Sequence, residues 1–296
     1  MNLLGNALLS LLEFAPPLVL AALGGVLSEK AGVVNIGLEG MMRFGAFFAV
    51  AVAIWTGSPW LGLVGGALAG AAAAGVHAVL SLRFQANQVV SGVALNLVAL
   101  GLITFLLEVL FGSAGVSPPA PQLARGSFGL AAPTWIALAL PFVFHWFLNH
   151  TATGLRIRAV GEKPRAAATL GVDVLRLRAF CVLGSGVLAG LGGGALSVGI
   201  LGQFDARMPA GQGFMALAAM VFGRWTPLGA AGAAAFFALA EALQRQLGFA
   251  LHAADLHLEG LFLALPYALT LLVLAVGSTR SRAPAADGVP YEAEGR

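Results

Sequence analysis

Glu39 and Arg43 stand four residues apart inside the apolar run Val33–Trp55. Residues at that spacing share one face of a helix, and acid before base is the order that suits an i,i+4 ion pair. A lone charge at the centre of a bilayer costs about 2.5–3.5 kcal/mol on the insertion scale, so such groups pair or serve a solute. With a helix starting near Val33, Arg43 lies about 15 Å along it, near a bilayer midplane. Two readings stay open. The pair lines a translocation path, or it locks one helix to a neighbour. Asn35 and Asn96, with Ser91 and Thr104, carry amides and hydroxyls in or beside apolar runs. Such groups bridge helices or bind solute.

A second group of candidates surrounds Gly213–Phe222, an apolar run only about 15 Å long as a helix. That length cannot cross about 30 Å of hydrocarbon. The run must start near the midplane, reached through the irregular stretch Gly202–Gln212. Irregular backbone at that depth is tolerated where it is buried in protein or lines a wet cavity. A half-helix N-terminus facing such a cavity is one way to build a substrate site. Gln203, Phe204, Gln212 and Phe214 are then candidate wall residues. The competing reading is a short helix tilted against its neighbours, with no ligand role.

A third group lies in the basic island Gly154–Arg178, which holds six of the sixteen Lys and Arg residues. Pro164 suits a first helical turn and Gly171 suits a helix stop. Arg165–Leu170 between them is Ala-rich and helix-favouring. Ala167 and Leu170, three apart, would present a small apolar face, rimmed by Glu162, Lys163 and Arg165. Such a segment, Gly161 to Gly171, suits docking to a partner protein; the alternative is a loop whose charges only orient the chain.

The elements that must position these groups follow from composition. The chain has 296 residues, 59 % hydrophobic and only 10 % charged, where a soluble domain carries roughly 25 %. The expected fold is an all-α polytopic membrane protein. Its spans are Leu3–Leu27, Val33–Trp55, Trp60–Leu82, Gln88–Phe111, Thr134–Leu148, Ala179–Leu201, Pro227–Leu247 and Leu258–Val276. That makes eight full helices plus the half-length one, with Pro17–Lys30 and Gly213–Arg224 as a faint internal repeat. Residues 1–280 form the membrane domain, with the loop 154–178 inside it and a short tail at 281–296. Two glycine stripes, Gly62/Gly66/Gly70 and Gly186/Gly190/Gly194, suit close helix packing.

With the island placed in the cytoplasm, twelve of the sixteen cations fall inside, as the positive-inside rule requires. The N-terminus is then outside and retained, and the C-terminus inside. Trp55, Trp60, Trp135, Trp146 and Trp225 fall at span ends, as an aromatic belt would. The positive charge reads as a topology signal and not as a nucleic-acid footprint. The single cysteine, Cys181, excludes an intrachain disulfide and a Cys-based metal site. There is no GxxxxGK[ST] loop, no HExxH and no GxSxG, so no catalytic role, metal or cofactor is expected.

Four stretches carry a family resemblance: SEKAGVVNIGLEGMM (Ser28–Met42), NQVVSGVALNLVALG (Asn87–Gly101), GLRIRAVGEKPRAAATLGVDV (Gly154–Val174) and GQGFMALAAMVFGRWTPLGA (Gly211–Ala230). Together they resemble the bacterial ABC-importer permeases of the nucleoside branch, within the superfamily of simple-sugar and branched-chain amino-acid permeases. The resemblance implies a multi-pass subunit of the bacterial plasma membrane that forms half of a translocation path. It implies three partners: a cytoplasmic ATPase, a second and usually distinct permease, and an extracellular or periplasmic solute-binding protein. It also makes the segment Gly161, Glu162, Lys163, Pro164, Arg165, Ala167, Leu170 and Gly171 a coupling helix for the ATPase. The path would be lined by Asn35, Glu39, Arg43, Asn96, Gln203, Phe204, Gln212 and Phe214. The alternatives are a permease for simple sugars or branched-chain amino acids and, in a different class, an ion-coupled secondary transporter using Glu39.

Overall fold

The computed structural model describes residues 3–113, 115–126, 129–253 and 282–292. Ten α-helices appear among them: α1 Leu3–Lys30, α2 Leu38–Thr56, α3 Pro59–Ala78, α4 Gln88–Phe111, α5 Ala132–His150, α6 Ala152–Glu162, α7 Pro164–Thr169, α8 Val174–Gly194, α9 Gln212–Phe222 and α10 Pro227–Ala253. Wider π-type turns extend α3 through Val79–Arg83 and α8 through Ala195–Leu201. No β-strand longer than a single bridge occurs among the described residues.

Local chemistry sets the ends. The Ser58, Asn87, Thr151 and Asp173 side chains accept backbone N–H bonds at the starts of α3, α4, α6 and α8, satisfying donors that a first turn leaves open. Gly57 and Gly112 close α2 and α4 in the left-handed conformation.

Six of the described helices are long and apolar enough to cross a membrane: Leu9–Lys30, Leu38–Thr56, Pro59–Arg83, Gln88–Phe111, Val174–Leu201 and Pro227–Gln244. The expected fifth span is present as α5, 19 residues long, but its prolines, histidines and Asn149 dilute its hydropathy and it is not one of the six. The expected span Leu258–Val276 lies outside the described residues. The described chain therefore carries six such helices and not eight. The half-length helix is present as α9, 11 residues long. The second span begins later than expected, because Val33–Gly37 is not α-helical and α2 starts at Leu38.

The centre of the bundle is α1, α2, α3 and α8, with α9 and α10 packed on α1 and with α4 and α5 at its margin. The glycine stripes face each other across α3 and α8. A Cβ at Gly70 would land on the Gly186 carbonyl, and one at Gly190 on the Gly66 carbonyl. Close approach of this kind brings many small dispersion contacts into range, in a solvent that gives helices little hydrophobic drive to associate.

Candidate functional site

Glu39 sits in the first turn of α2 and does not form an ion pair with Arg43. Its carboxylate accepts from Gly211 N–H (2.9 Å) and Gly213 N–H (2.7 Å). The half-helix α9 is thus capped by an acid from 170 residues earlier in the chain. A helix N-terminus offers several unmet donors and a partial positive charge, and a carboxylate satisfies both. The expected i,i+4 pair gives way because two backbone donors compete for the same oxygens. The Arg43 guanidinium instead donates to the Ala206 carbonyl (2.5 Å).

The irregular stretch leading to α9 is held from two sides. Arg43 and Glu39 hold its inner face. On the other face lies residues 115–123: Ser117 N–H donates to Phe204 O (2.9 Å), Ala120 N–H to Gly202 O (2.8 Å) and Leu123 N–H to Val198 O (3.1 Å). Ala206 N–H returns a bond to Gly115 O (2.8 Å), and Phe204 N–H donates to Ser117 Oγ (2.9 Å). Several backbone groups of this irregular stretch are therefore met inside the protein, which is what such backbone would need at membrane depth. Arg125 and Glu13 form an ion pair that ties the same loop to α1.

The other break, Val33–Gly37, is satisfied by side chains from three helices. Gln88 Oε1 accepts from Val34 N–H (2.7 Å), and His77 Nε2 lies 3.0 Å from the Val34 carbonyl. A carbonyl can only accept, so that nitrogen carries the proton; Nδ1 then meets the Ser91 hydroxyl at 3.0 Å. Asn96 bridges α4 to this segment, accepting from Gly40 N–H (2.8 Å) and donating to Ile36 O (2.9 Å). Asn35 is fully buried and donates to Ser185 Oγ (2.9 Å). Three buried amide atoms here and at α9 have no protein partner: Asn35 Oδ1, Gln88 Nε2 and Gln212 Oε1. His77 was not among the candidates, since a single histidine in an apolar run gives no local sign of a carbonyl partner 43 residues away.

Of the eight path candidates, the structure gathers Glu39, Arg43, Gln203, Phe204, Gln212 and Phe214 around the stretch leading into α9. Asn35 and Asn96 sit together at the other break. Phe204 is fully buried, edge to face with Phe47 at 5.4 Å. Gln203 is partly exposed, and Phe214 is 48 % exposed.

The island divides differently from the expectation. Pro164 opens α7 and Gly171, at φ 82°, ends that turn. Ala167 and Leu170 do not share a docking face. Ala167 is 3 % exposed and packs with Val160 and Val174, whereas Leu170 is 86 % exposed. The six-residue helix stops at Thr169, which turns Leu170 away from the packed side. Arg178, counted with the orienting charges, is fully buried. Trp225 is also buried and donates to Glu29 Oε2 (2.6 Å), so it is a core contact and not part of a belt. Trp55, Trp60, Trp135 and Trp146 are exposed.

Comparison with known proteins gives a consistent picture. Residues 7–274 match the family described as branched-chain amino acid transport system / permease component. The chain is similar to the guanosine ABC transporter permease protein NupQ of Bacillus subtilis, 42 % identical over 95 % of this chain and 94 % of that protein. It is 37 % identical to the nucleoside ABC transporter permease protein NupC of Lactococcus lactis, over 98 % of both. It is also 37 % identical to the putative glucose ABC transporter permease protein TsgC13 of Haloferax volcanii, over 82 % of this chain and 78 % of that protein. No solved structure matches.

Proposed function

The chain belongs to the branched-chain amino acid transport system permease family, and on that premise we propose that it is the membrane subunit of an ATP-driven importer for nucleosides. The observation that carries the reading is similarity over nearly the whole chain to two nucleoside permease proteins. The subunit forms half of the path and pairs with a second, related permease. A cytoplasmic ATPase works on it through Gly161–Gly171, and an extracellular solute-binding protein feeds it. The N-terminus is outside and the C-terminus inside, with eight full spans beside the half-helix in a membrane domain of residues 1–280.

Burial and hydrogen bonding support a division of roles within the proposed path. Glu39, Arg43, Asn96 and Phe204 hold backbone or core, so they shape the path from behind. Phe214 and Gln203 are exposed enough to meet a solute. An exposed aromatic ring suits stacking on a base, and an amide suits ribose hydroxyls. Gln212 Oε1, buried and unpartnered at the start of α9, is an acceptor that a solute hydroxyl can satisfy. Because Glu39 already occupies the donors of α9, the site favours an uncharged solute over an anion. In the secondary-transporter alternative Glu39 would have to release its two N–H donors at each proton cycle.

The solute-binding partner supplies the test of substrate. Its affinity for guanosine and other nucleosides should exceed that for glucose or leucine by orders of magnitude. Tight sugar binding with no nucleoside binding would move the substrate to the sugar branch.

A further inference from the structure

Residues 284–289 carry a dense set of contacts with the helices. Arg178, at the start of α8, is fully buried, and its guanidinium donates to three carbonyls: Ala31 O (3.0 Å), Val289 O (3.0 Å) and Ala286 O (3.4 Å). One acceptor ends α1 and two belong to the tail. Ala286 N–H donates to Gly161 O (2.8 Å), and Ala285 N–H reaches Glu162 Oε2 (3.3 Å). Gly161 and Glu162 end α6, and only Lys163 separates them from α7. The close fit extends to Gly161, where an added Cβ would land on the Lys30 carbonyl and meet Pro284 at 3.4 Å. At Gly32, whose φ is 84°, a Cβ would stand 2.6 Å from Arg178 Nη2 and 3.0 Å from Ala286 O.

We propose that residues 284–291 are a strap that positions the coupling helix α7 against the inner ends of α1 and α8, so that displacement of α7 reaches the half-helix α9. The inference rests on the permease reading. The route is continuous. The tail holds Gly161 and Glu162 to Arg178 and to the end of α1. Glu29 at that end accepts from Trp225, in the turn that leaves α9. The strap bonds to the end of α6, one residue before α7, and a groove of about 470 Å³ lies between Lys163–Ala166 and Val289–Glu292. Leu170 remains free for the ATPase. Without the strap, α7 is joined to the bundle by α6 and by the small cluster Val160, Ala167 and Val174. A short helix on so few contacts yields locally before it moves its neighbours. A guanidinium with three carbonyls has a strong reason to stay docked, because a buried cation without acceptors is costly.

The test uses the full complex of permease, second permease, ATPase and solute-binding protein in proteoliposomes. Guanosine taken up per ATP hydrolysed is measured for the wild type, for a chain ending at Arg282, and for Gly288→Pro. Gly288 has φ 75°, which proline cannot adopt, so that variant breaks the strap's turn alone. Both variants should keep ATP hydrolysis and lose several-fold in uptake per ATP. A synthetic peptide of residues 283–296 should restore the truncated chain in part; a merely structural role would lower uptake and hydrolysis together and leave uptake per ATP unchanged. Wild-type uptake per ATP in Gly288→Pro overturns the strap, whether or not the truncated chain assembles. A wild-type complex with no ATP-dependent uptake overturns the permease reading, and the strap with it.

Discussion

Glu39→Gln separates a structural cap from a carrier of protons or ions. In the wild type both carboxylate oxygens are engaged, one by Gly211 N–H at 2.9 Å and one by Gly213 N–H at 2.7 Å. Glu39→Ala leaves two donors without acceptors in a mostly buried setting, at about 1–3 kcal/mol each, so about 2–6 kcal/mol in all. Glu39→Gln is nearly isosteric. Its carbonyl serves one donor, while its NH₂ faces the other and cannot accept. The loss is then one bond, about 1–3 kcal/mol, with a further ~0.3–1 kcal/mol from removing a negative charge beside the start of α9. Stability is read by SDS titration of the purified protein in mixed micelles, and uptake in proteoliposomes. The order should be wild type, then Gln, then Ala, with uptake falling in step and with unchanged dependence on external pH. Wild-type stability in Glu39→Gln with uptake abolished would refute the cap and make the carboxylate a carrier.

Further perturbations address other parts of the structure. Gly190→Val pushes a branched side chain onto the Gly66 carbonyl and the Gly70 backbone; overpacking of this kind costs about 1–3 kcal/mol or more, and the yield of folded protein in detergent should fall sharply. Leu170→Ala should weaken ATPase co-purification without changing SDS stability, whereas Ala167→Leu, at a buried position, should lower stability; equal effects of the two would contradict the assignment of faces. Burial of the Asp287 carboxyl raises it to about 6, partly opposed by the bond with Glu29 and the nearby Arg178. A raised carboxyl favours the docked tail below its ordinary value of 3.8 and loses that contribution as pH rises through about 6. Hydrogen exchange of residues 284–291 should therefore speed up between pH 5 and pH 7.5 beyond its intrinsic rise, an increment that Asp287→Asn removes.

What was readable in the residues was what depends on neighbours in the chain. Length and hydropathy mark Trp60–Leu82 and Gln88–Phe111 almost to their observed ends, because apolar runs of that size have one use in a bilayer. The shortness of Gly213–Phe222, the stop at Gly171 and the spacing within each glycine stripe are local properties too; that the stripes face each other is not. Contacts set by distant partners were not readable. Glu39 looked like a partner for Arg43, since nothing near it announces the Gly211 and Gly213 donors. The break at Val33–Gly37 is held largely by Gln88, His77 and Asn96, which arrive from other helices. Arg178 read as one more exposed cation, although carbonyls of Ala31, Ala286 and Val289 enclose it. Charge counting treats all cations in a loop alike and is blind to burial.

In the proposed function ATP, hydrolysed by a partner, drives nucleoside through this chain. The most direct measurement is uptake of radiolabelled guanosine into proteoliposomes holding the permease pair and ATPase, with the solute-binding protein outside and ATP inside. Uptake should require both internal ATP and the solute-binding protein, and should survive collapse of proton and sodium gradients. Uptake by this chain alone, driven by an imposed gradient without ATP, would contradict it.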